Sequence, residues 1–181
     1  MNYKLDITLT DKDYTDFNIF WMLKSTYGKK QLLKCRVIIF LIFALSALFV
    51  LLTGDGSVGN FVFIGLMVVM LALFQFFMPS FYTRTIKSQL KTLKKSGKMA
   101  YSPESSMEFY DDYFVEYTEE NKNEHKYTTI ERISLVGDKI IYLHINNVTA
   151  YLIPISSFNS EEELSSFIDF IKTKAPIVDI Y

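Results

Sequence analysis

The sequence predicts a membrane α-helical hairpin of two transmembrane helices followed by a small α+β domain, in which an antiparallel sheet is closed by a C-terminal helix. Three observations predict this fold class. Residues 37–78 carry one charge, Asp55, and basic residues gather on both sides of this stretch. Residues 99–181 hold 15 acids against 6 bases and show short alternating runs typical of strands. We therefore divide the chain into an N-terminal strand and amphipathic helix (1–36), the hairpin (37–78), a basic amphipathic juxtamembrane helix (79–98) and a cytoplasmic domain (99–181).

The N-terminal segment predicts a strand that leads into a helix. Tyr3–Leu9 alternates apolar and polar residues, which is the period of a strand with one buried face. A lone strand of this length is not stable in water. We therefore expect it to join an open edge of the C-terminal sheet, with Leu5 and Ile7 half-buried. Thr10 and Asp13 then have the spacing of a capping box, which opens a helix expected to reach about Tyr27.

Two apolar runs are long enough to cross a membrane. Val37–Leu52 has 16 residues without a charge, and Phe61–Met78 has 18, with Gln75 as its one strongly polar side chain. At ~1.5 Å per residue they reach roughly 24–27 Å, close to the ~30 Å hydrocarbon core. Both are apolar on every face, whereas two buried helices of a soluble protein, the alternative, would usually keep a polar face. We expect Pro79 to end the second helix and Gly65 to allow close helix approach.

The charges outside the spans predict the orientation. The loop Thr53–Asn60 is short and contains no base, so the spans must be antiparallel neighbours. Five Lys or Arg residues lie in Lys24–Arg36 and six in Arg84–Lys98, and neither flank contains an acid. The positive-inside rule then places both termini in the cytoplasm. The N-terminus lacks the features of a cleaved signal peptide, so we expect the spans themselves to insert into the inner cell membrane.

The basic flanks supply the candidate binding residues, which we interpret as contacts to anionic lipid headgroups. After Pro79, apolar residues at Ile86, Leu90 and Leu93 alternate with lysines, and Gly97 follows as a cap. This pattern is typical of an amphipathic helix in the headgroup plane; a solvated helix whose lysines only fix topology is the alternative. Nucleic acid is not an expected partner, because the net charge of −9 in residues 99–181 would repel phosphate. The eight candidate contacts are Lys29, Lys30, Lys34, Arg36, Lys87, Lys91, Lys94 and Lys95.

The sequence from Ser106 onward predicts a meander of five or six strands and then a helix. Turn signals at Asp111-Asp112, Gly137-Asp138 and Asn146-Asn147 separate the runs. Ser160 and Glu163 form a capping box before the helix, whose apolar stripe is Leu164, Phe167, Ile168 and Ile171. A sheet closed by a C-terminal helix is the outline of a pleckstrin-homology (PH)-like domain. The predicted strands are Met107–Phe109, Tyr113–Tyr117, Tyr127–Val136, Lys139–Ile145 and Val148–Ile155.

Several of these features together resemble one family. The helix start reads LTDKDY, a two-span hairpin follows, and residues 150–176 read AYLIPISSFNSEEELSSFIDFIKTKAP. This arrangement resembles the YcxB-like family of bacterial membrane proteins. The resemblance implies a bacterial inner-membrane protein with a PH-like cytosolic domain. The shared motifs are structural, so no catalytic or binding residue is carried over from the family.

The sequence offers no catalytic or metal motif, and we expect neither an enzyme nor a cofactor. Cys35 is the one cysteine, and HExxH and GxSxG motifs are absent. We expect His125, in the polar run Glu119–Lys126, to be solvated, and His144 to be at the surface or partly buried. The favoured function is a membrane-anchored cytoplasmic binding or regulatory module of unknown ligand, with an unknown protein partner. The alternative is a homo-oligomeric channel or transport component gated by the soluble domain, which requires Gln75 to face a pore.

Overall fold

The chain forms two units, and the first of them is assembled from two separated stretches of sequence. The computed structural model describes residues 1–137, 139–146 and 149–181. The first unit, which we call the sheet domain, combines Met1–Tyr14 with Gly97–Tyr181. The second, which we call the helical unit, is Thr15–Ser96. The helical unit is therefore an insertion within the sequence of the sheet domain.

The described residues form four α-helices and eight strands. The helices are α1 (Asp11–Lys24), α2 (Thr26–Thr53), α3 (Val58–Lys95) and α4 (Glu161–Lys172). The strands are β1 (Tyr3–Thr8), β2 (Glu104–Phe109), β3 (Tyr113–Tyr117), β4 (Lys122–Lys126), β5 (Arg132–Val136), β6 (Ile140–His144), β7 (Ala150–Pro154) and β8 (Val178–Ile180). Short 3-10 turns lie at Tyr127–Thr129 and Ile155–Ser157. The membrane hairpin plus small α+β domain predicted from the sequence is thus present as two long apolar helices and a sheet-rich unit with a C-terminal helix.

The N-terminal strand joins the sheet that lies on the far side of the helical insertion, as predicted. β1 pairs antiparallel with β2, with Leu5 opposite Met107 and Thr8 opposite Glu104. The expectation that Leu5 and Ile7 are only half-buried is wrong, because they are 1% and 3% exposed. Burial is complete because these side chains enter the core between the two sheets rather than an open sheet face. β1 therefore supplies part of the core as well as a sheet edge.

The strands form two four-stranded sheets instead of one continuous meander. The first has the order β1-β2-β3-β4 and the second β7-β6-β5-β8, where β8 runs parallel to β5. The predicted strand from Tyr127 begins only at Arg132, because the 3-10 turn Tyr127–Thr129 redirects the chain between the sheets. At the predicted hairpins, Gly137 has φ +52°, whereas Asp138, Asn147 and Val148 lie outside the described residues.

The core lies between the sheets and is closed by α4. Ser160 caps this helix by accepting a hydrogen bond from the Glu163 amide at 3.2 Å, as the sequence predicts. Phe167 and Ile171 are fully buried, while Leu164 and Ile168 pack against the same core from partly buried positions. The core residues are Leu5, Ile7, Met107, Phe109, Phe114, Tyr127, Ile130, Ile133, Ile141, Leu143, Ile153, Phe167 and Ile171.

Both histidines are less exposed than the sequence predicts. His125 lies on β4, where its ring stacks on Phe114 at 5.5 Å and shares a 2.6 Å hydrogen bond with the Tyr151 hydroxyl. The solvated position expected for His125 is wrong because its polar run forms a strand in which His125, alone among the five residues, is partly buried through these contacts. His144 is 7% exposed and lies 3.1 Å from the Ser134 hydroxyl.

The burial of His144 predicts a stability that depends on pH. Burial, followed by the Arg132 cation and opposed by Asp179, lowers the pKa of His144 from 6.5 to about 4. Since this pKa is lower in the folded chain, the unfolded chain takes up the proton first as the pH falls. We expect the unfolding free energy to fall by about 3 kcal/mol between about pH 6.5 and pH 4. Urea unfolding at several pH values should show this slope, and His144→Gln should reduce it; an equal slope in both proteins would contradict the prediction.

Candidate membrane interface

Two helices of the helical unit are long and apolar enough to cross a membrane. They are α2, with 28 residues, and α3, with 38. In each, the most apolar stretch of 18 residues has no residue buried within the chain. A core helix of a soluble protein would be mostly buried, so the exposure of these apolar side chains favours the membrane interpretation.

A hydrogen bond near the predicted ends of the spans joins the two helices. The Gln75 side-chain amide donates to the Arg36 carbonyl oxygen at 3.4 Å. Gln75 therefore bonds to the neighbouring helix, and the channel alternative, which requires Gln75 to face a pore, gains no support from this contact. A Cβ added at Gly65 would meet no atom within 4 Å. The close helix approach expected at Gly65 is therefore wrong, because no neighbouring atom lies against that position.

A sharp corner precedes the first span. The helix expected to reach Tyr27 ends at Lys24, because Ser25 adopts an extended conformation and begins a new helix. The Ser25 hydroxyl accepts a hydrogen bond from the Gly28 amide at 2.9 Å and donates to the Trp21 carbonyl. Gly28 lies in the first turn of α2, where a Cβ would clash with the Trp21 carbonyl. The corner thus requires glycine at this position.

All eight predicted headgroup contacts are exposed side chains on these two helices. Four of them, Lys29, Lys30, Lys34 and Arg36, lie in the first three turns of α2. Measured from Val37, this group extends along the helix by roughly 12 Å. The headgroup layer adds about 5–8 Å to each side of the hydrocarbon core, and screening is incomplete over a further ~8 Å. If the hydrocarbon core begins at Val37, as the sequence predicts, the α2 group lies within electrostatic reach of a bilayer surface.

The other four predicted headgroup contacts lie on a continuation of the second apolar helix, not on a separate helix. We expected a break at Pro79, but α3 runs through it to Lys95. Ending a helix beside apolar surroundings would leave several carbonyl groups unpaired, whereas an internal proline removes a single hydrogen bond. Ile86 and Leu90 are 7% and 6% exposed, so this part of the apolar stripe is not free to enter a headgroup layer. The part of α3 that continues past Pro79 carries the four basic residues of this group, Lys87, Lys91, Lys94 and Lys95.

The predicted end of this basic segment is confirmed. The Ser96 amide donates to the Leu93 carbonyl at 3.0 Å. Gly97 follows with φ +72°, a left-handed conformation that favours glycine after a helix. The basic helix is thus closed just before the chain returns to the sheet domain.

The sheet domain contains a polar cluster that sequence reasoning missed. Asn123 on β4 donates to the Glu116 carboxylate at 3.2 Å, next to the His125–Tyr151 pair. Burial, followed by the Glu116 charge, raises the pKa of Tyr151 to about 12. All four side chains are already paired in this way. Among the described residues, no group of three or more His, Cys, Asp or Glu side chains is placed to hold a metal ion.

A comparison with protein families supports the predicted resemblance. Residues 109–171 match the model of a family described as YcxB-like protein. The matched stretch begins at the last residue of β2 and ends in α4, so it lies within the sheet domain and confirms the resemblance there. No curated protein and no solved structure matches the chain.

Proposed function

We propose that the chain is a membrane-anchored binding or regulatory module whose sheet domain lies in the cytoplasm and whose ligand is unknown. The observation that carries the proposal is the pairing of β1 with β2 across the helical insertion. Tyr3–Thr8 precedes both apolar helices, and Glu104–Phe109 follows them. Paired strands must lie in one compartment, so a hairpin that crosses the membrane twice returns the chain to its starting side. The resulting architecture displays one folded domain at a membrane surface.

The charge distribution supports the cytoplasmic side and an inner-membrane location. The two flanks together carry 11 Lys or Arg residues, against none in the loop Thr53–Asn60. Basic residues next to spans are retained on the cytoplasmic side. Of the eight predicted headgroup contacts, those within reach of the bilayer are the ones we propose, namely Lys29, Lys30, Lys34, Arg36 and Lys87.

The arrangement of the sheet domain supports a PH-like fold. Two four-stranded sheets enclose one core, and a C-terminal helix closes it through Phe167 and Ile171. Such a fold serves many unrelated functions, so it does not by itself name the ligand. We propose a binding role rather than an enzymatic one. The side chains of the polar cluster around His125 are paired with each other, Asn123 with Glu116 and Tyr151 with His125, so their hydrogen bonds hold the sheet domain together. The proposed partner is a protein in the cytosol or membrane, and we propose no nucleic-acid contact because of the domain's acidity.

The experiment that tests the proposal is a map of topology with two reporters. A reporter that is active only outside the cytoplasm should be active when inserted at Gly56, between the spans, and silent when fused after Tyr181. The physical reason is the excess of basic residues outside the spans. Activity after Tyr181 would overturn the cytoplasmic orientation, and silence at both positions would overturn the membrane hairpin. A cytoplasm-specific reporter at the same two positions is the control.

A further inference from the structure

The extension of α3 beyond the membrane carries a basic face on one side. We call this extension, Pro79–Lys95, the stalk. At 3.6 residues per turn, Arg84, Lys87, Lys91 and Lys95 fall within about 80° of arc. All four are exposed, and no acid lies between residues 84 and 98. Buried Ile86 and Leu90 lie on a different side of the helix, so the basic face points outward.

Half of this face lies too far from the bilayer to contact lipid, a point that rests on the membrane placement proposed above. If residues 61–78 fill the hydrocarbon core, Lys91 and Lys95 lie roughly 20 and 26 Å beyond Met78 along the helix. Headgroups and the screening length together reach about 13–16 Å. A bend of about 20–30° at Pro79 shortens these distances by little more than a tenth. Arg84 and Lys87 reach the surface, whereas Lys91 and Lys95 lie beyond it and are exposed to a partner other than lipid.

We propose that the basic face of the stalk docks the acidic β3–β4 turn of a second copy of this chain. In that turn the Thr118 amide donates to the Asn121 carbonyl at 2.9 Å. Glu119 and Glu120 occupy the exposed tip between them, and Glu124 is exposed on the adjoining strand. The tip therefore presents carboxylates outward to lysines that recur once per helical turn.

Charge and placement favour a second copy over other partners. The sheet domain from residue 99 onward carries a net charge of −9, while the segment 84–98 carries six bases. Both parts lie on one side of the bilayer in every copy, and confinement to a membrane raises their effective concentration. Nucleic acid would be repelled by the same acidic domain. Single exposed ion pairs are weak, so docking needs several pairs together and should be sensitive to salt.

Cross-linking between differently tagged copies tests the proposal. Both copies carry Cys35→Ser and are reconstituted together in neutral phosphatidylcholine vesicles; one carries Lys91→Cys and the other Glu120→Cys. A short bismaleimide should join the two tags, and the yield should fall at least about five-fold between about 50 and 500 mM salt. Lys95→Glu, beyond the reach of the bilayer, should reduce the yield similarly, and Glu119→Lys in the other copy should restore it. Gln89→Cys is the matched control, since Gln89 is exposed about 160° around the helix from the centre of the basic face.

Each outcome decides the proposal. Preferential, salt-sensitive joining through Lys91→Cys supports docking. Docking would be overturned by an equal yield from Gln89→Cys or by the absence of any joining. It would also be overturned if joining occurred only within a single chain that carries both Lys91→Cys and Glu120→Cys. Flotation of the same vesicles after an alkaline wash reports membrane insertion separately. A chain that stays with the vesicles without cross-linking overturns docking alone, whereas a chain lost in the wash overturns the proposed function and the docking that rests on it.

Discussion

Leu5→Asp is expected to unfold the sheet domain, although Leu5 precedes both apolar helices in the chain. The side chain is 1% exposed within a core that includes Met107 and Phe109. A carboxylate without a partner there costs several kcal/mol, and about 4–5 kcal/mol is a large part of the ~5–15 kcal/mol that stabilises a typical domain. Amide hydrogen exchange of residues 104–117 in the full chain, held in lipid nanodiscs, should become fast.

The matched control for this prediction is the next residue in the same strand. Asp6 is exposed on the outer side of β1, opposite Ser106. Asp6→Ala should change the unfolding free energy by no more than about 0.5 kcal/mol. Slow exchange in residues 104–117 of the Leu5→Asp protein would show that β1 does not contribute to the core, and would contradict the prediction.

Phe167→Ala is expected to have the second large effect, through loss of the helix that closes the core. The Phe167 ring is fully buried and lies 4.9 Å from Phe109, 5.3 Å from Tyr3 and 5.1 Å from Phe158, measured between ring centroids. Removing a buried aromatic ring costs about 3–5 kcal/mol. For a domain of this size the unfolding temperature should fall by at least about 12 °C.

Thermal unfolding of the sheet domain within the full chain measures this effect. Ser165→Ala, an exposed position on the same helix, is the control and should leave the transition within about 0.5 kcal/mol. A loss below about 1 kcal/mol for Phe167→Ala would mean that α4 is not packed on the core as described.

The elements with strong periodic patterns could be predicted from the sequence alone. The observed bounds of β3, Tyr113–Tyr117, are those predicted, and the capping residues Thr10 and Ser160 make the expected bonds. β1 was also predictable, because an alternating strand next to a folded domain needs a partner. In each case local chemistry and burial indicate the same structure.

The misses have physical causes that a local pattern does not reveal. β4 reads KNEHK and lacks apolar alternation, because edge strands often carry charged side chains. β8 follows Pro176 and pairs with β5 over only three residues, which gives no periodic signal. The continuation of α3 through Pro79 depends on the surroundings of the helix rather than on the proline itself. The burial of His144 depends on packing that strand alternation does not specify.

The candidate site was predictable in its composition but not in its geometry. The sequence identifies all eight basic residues, and the structure shows each of them exposed. What the sequence could not give is the length of α3, since the expected stop at Pro79 would have allowed the following helix to lie along the bilayer. The continuous helix separates Lys87, near the proposed surface, from Lys91 and Lys95, beyond it.

The most direct test of the central claim is to cut the chain between the helical unit and β2 and ask what holds the sheet domain. A protease site placed between Lys98 and Met99 lies outside the helices and strands. After cleavage of the full chain in vesicles, the fragment from Met99 to Tyr181 should stay bound, because β1 remains attached to the membrane hairpin and paired with β2. The Leu5→Asp protein, cut in the same way, should release that fragment. Release of the fragment from the unaltered chain, or equal retention in both proteins, would contradict a domain built from the chain segments that precede and follow the membrane hairpin.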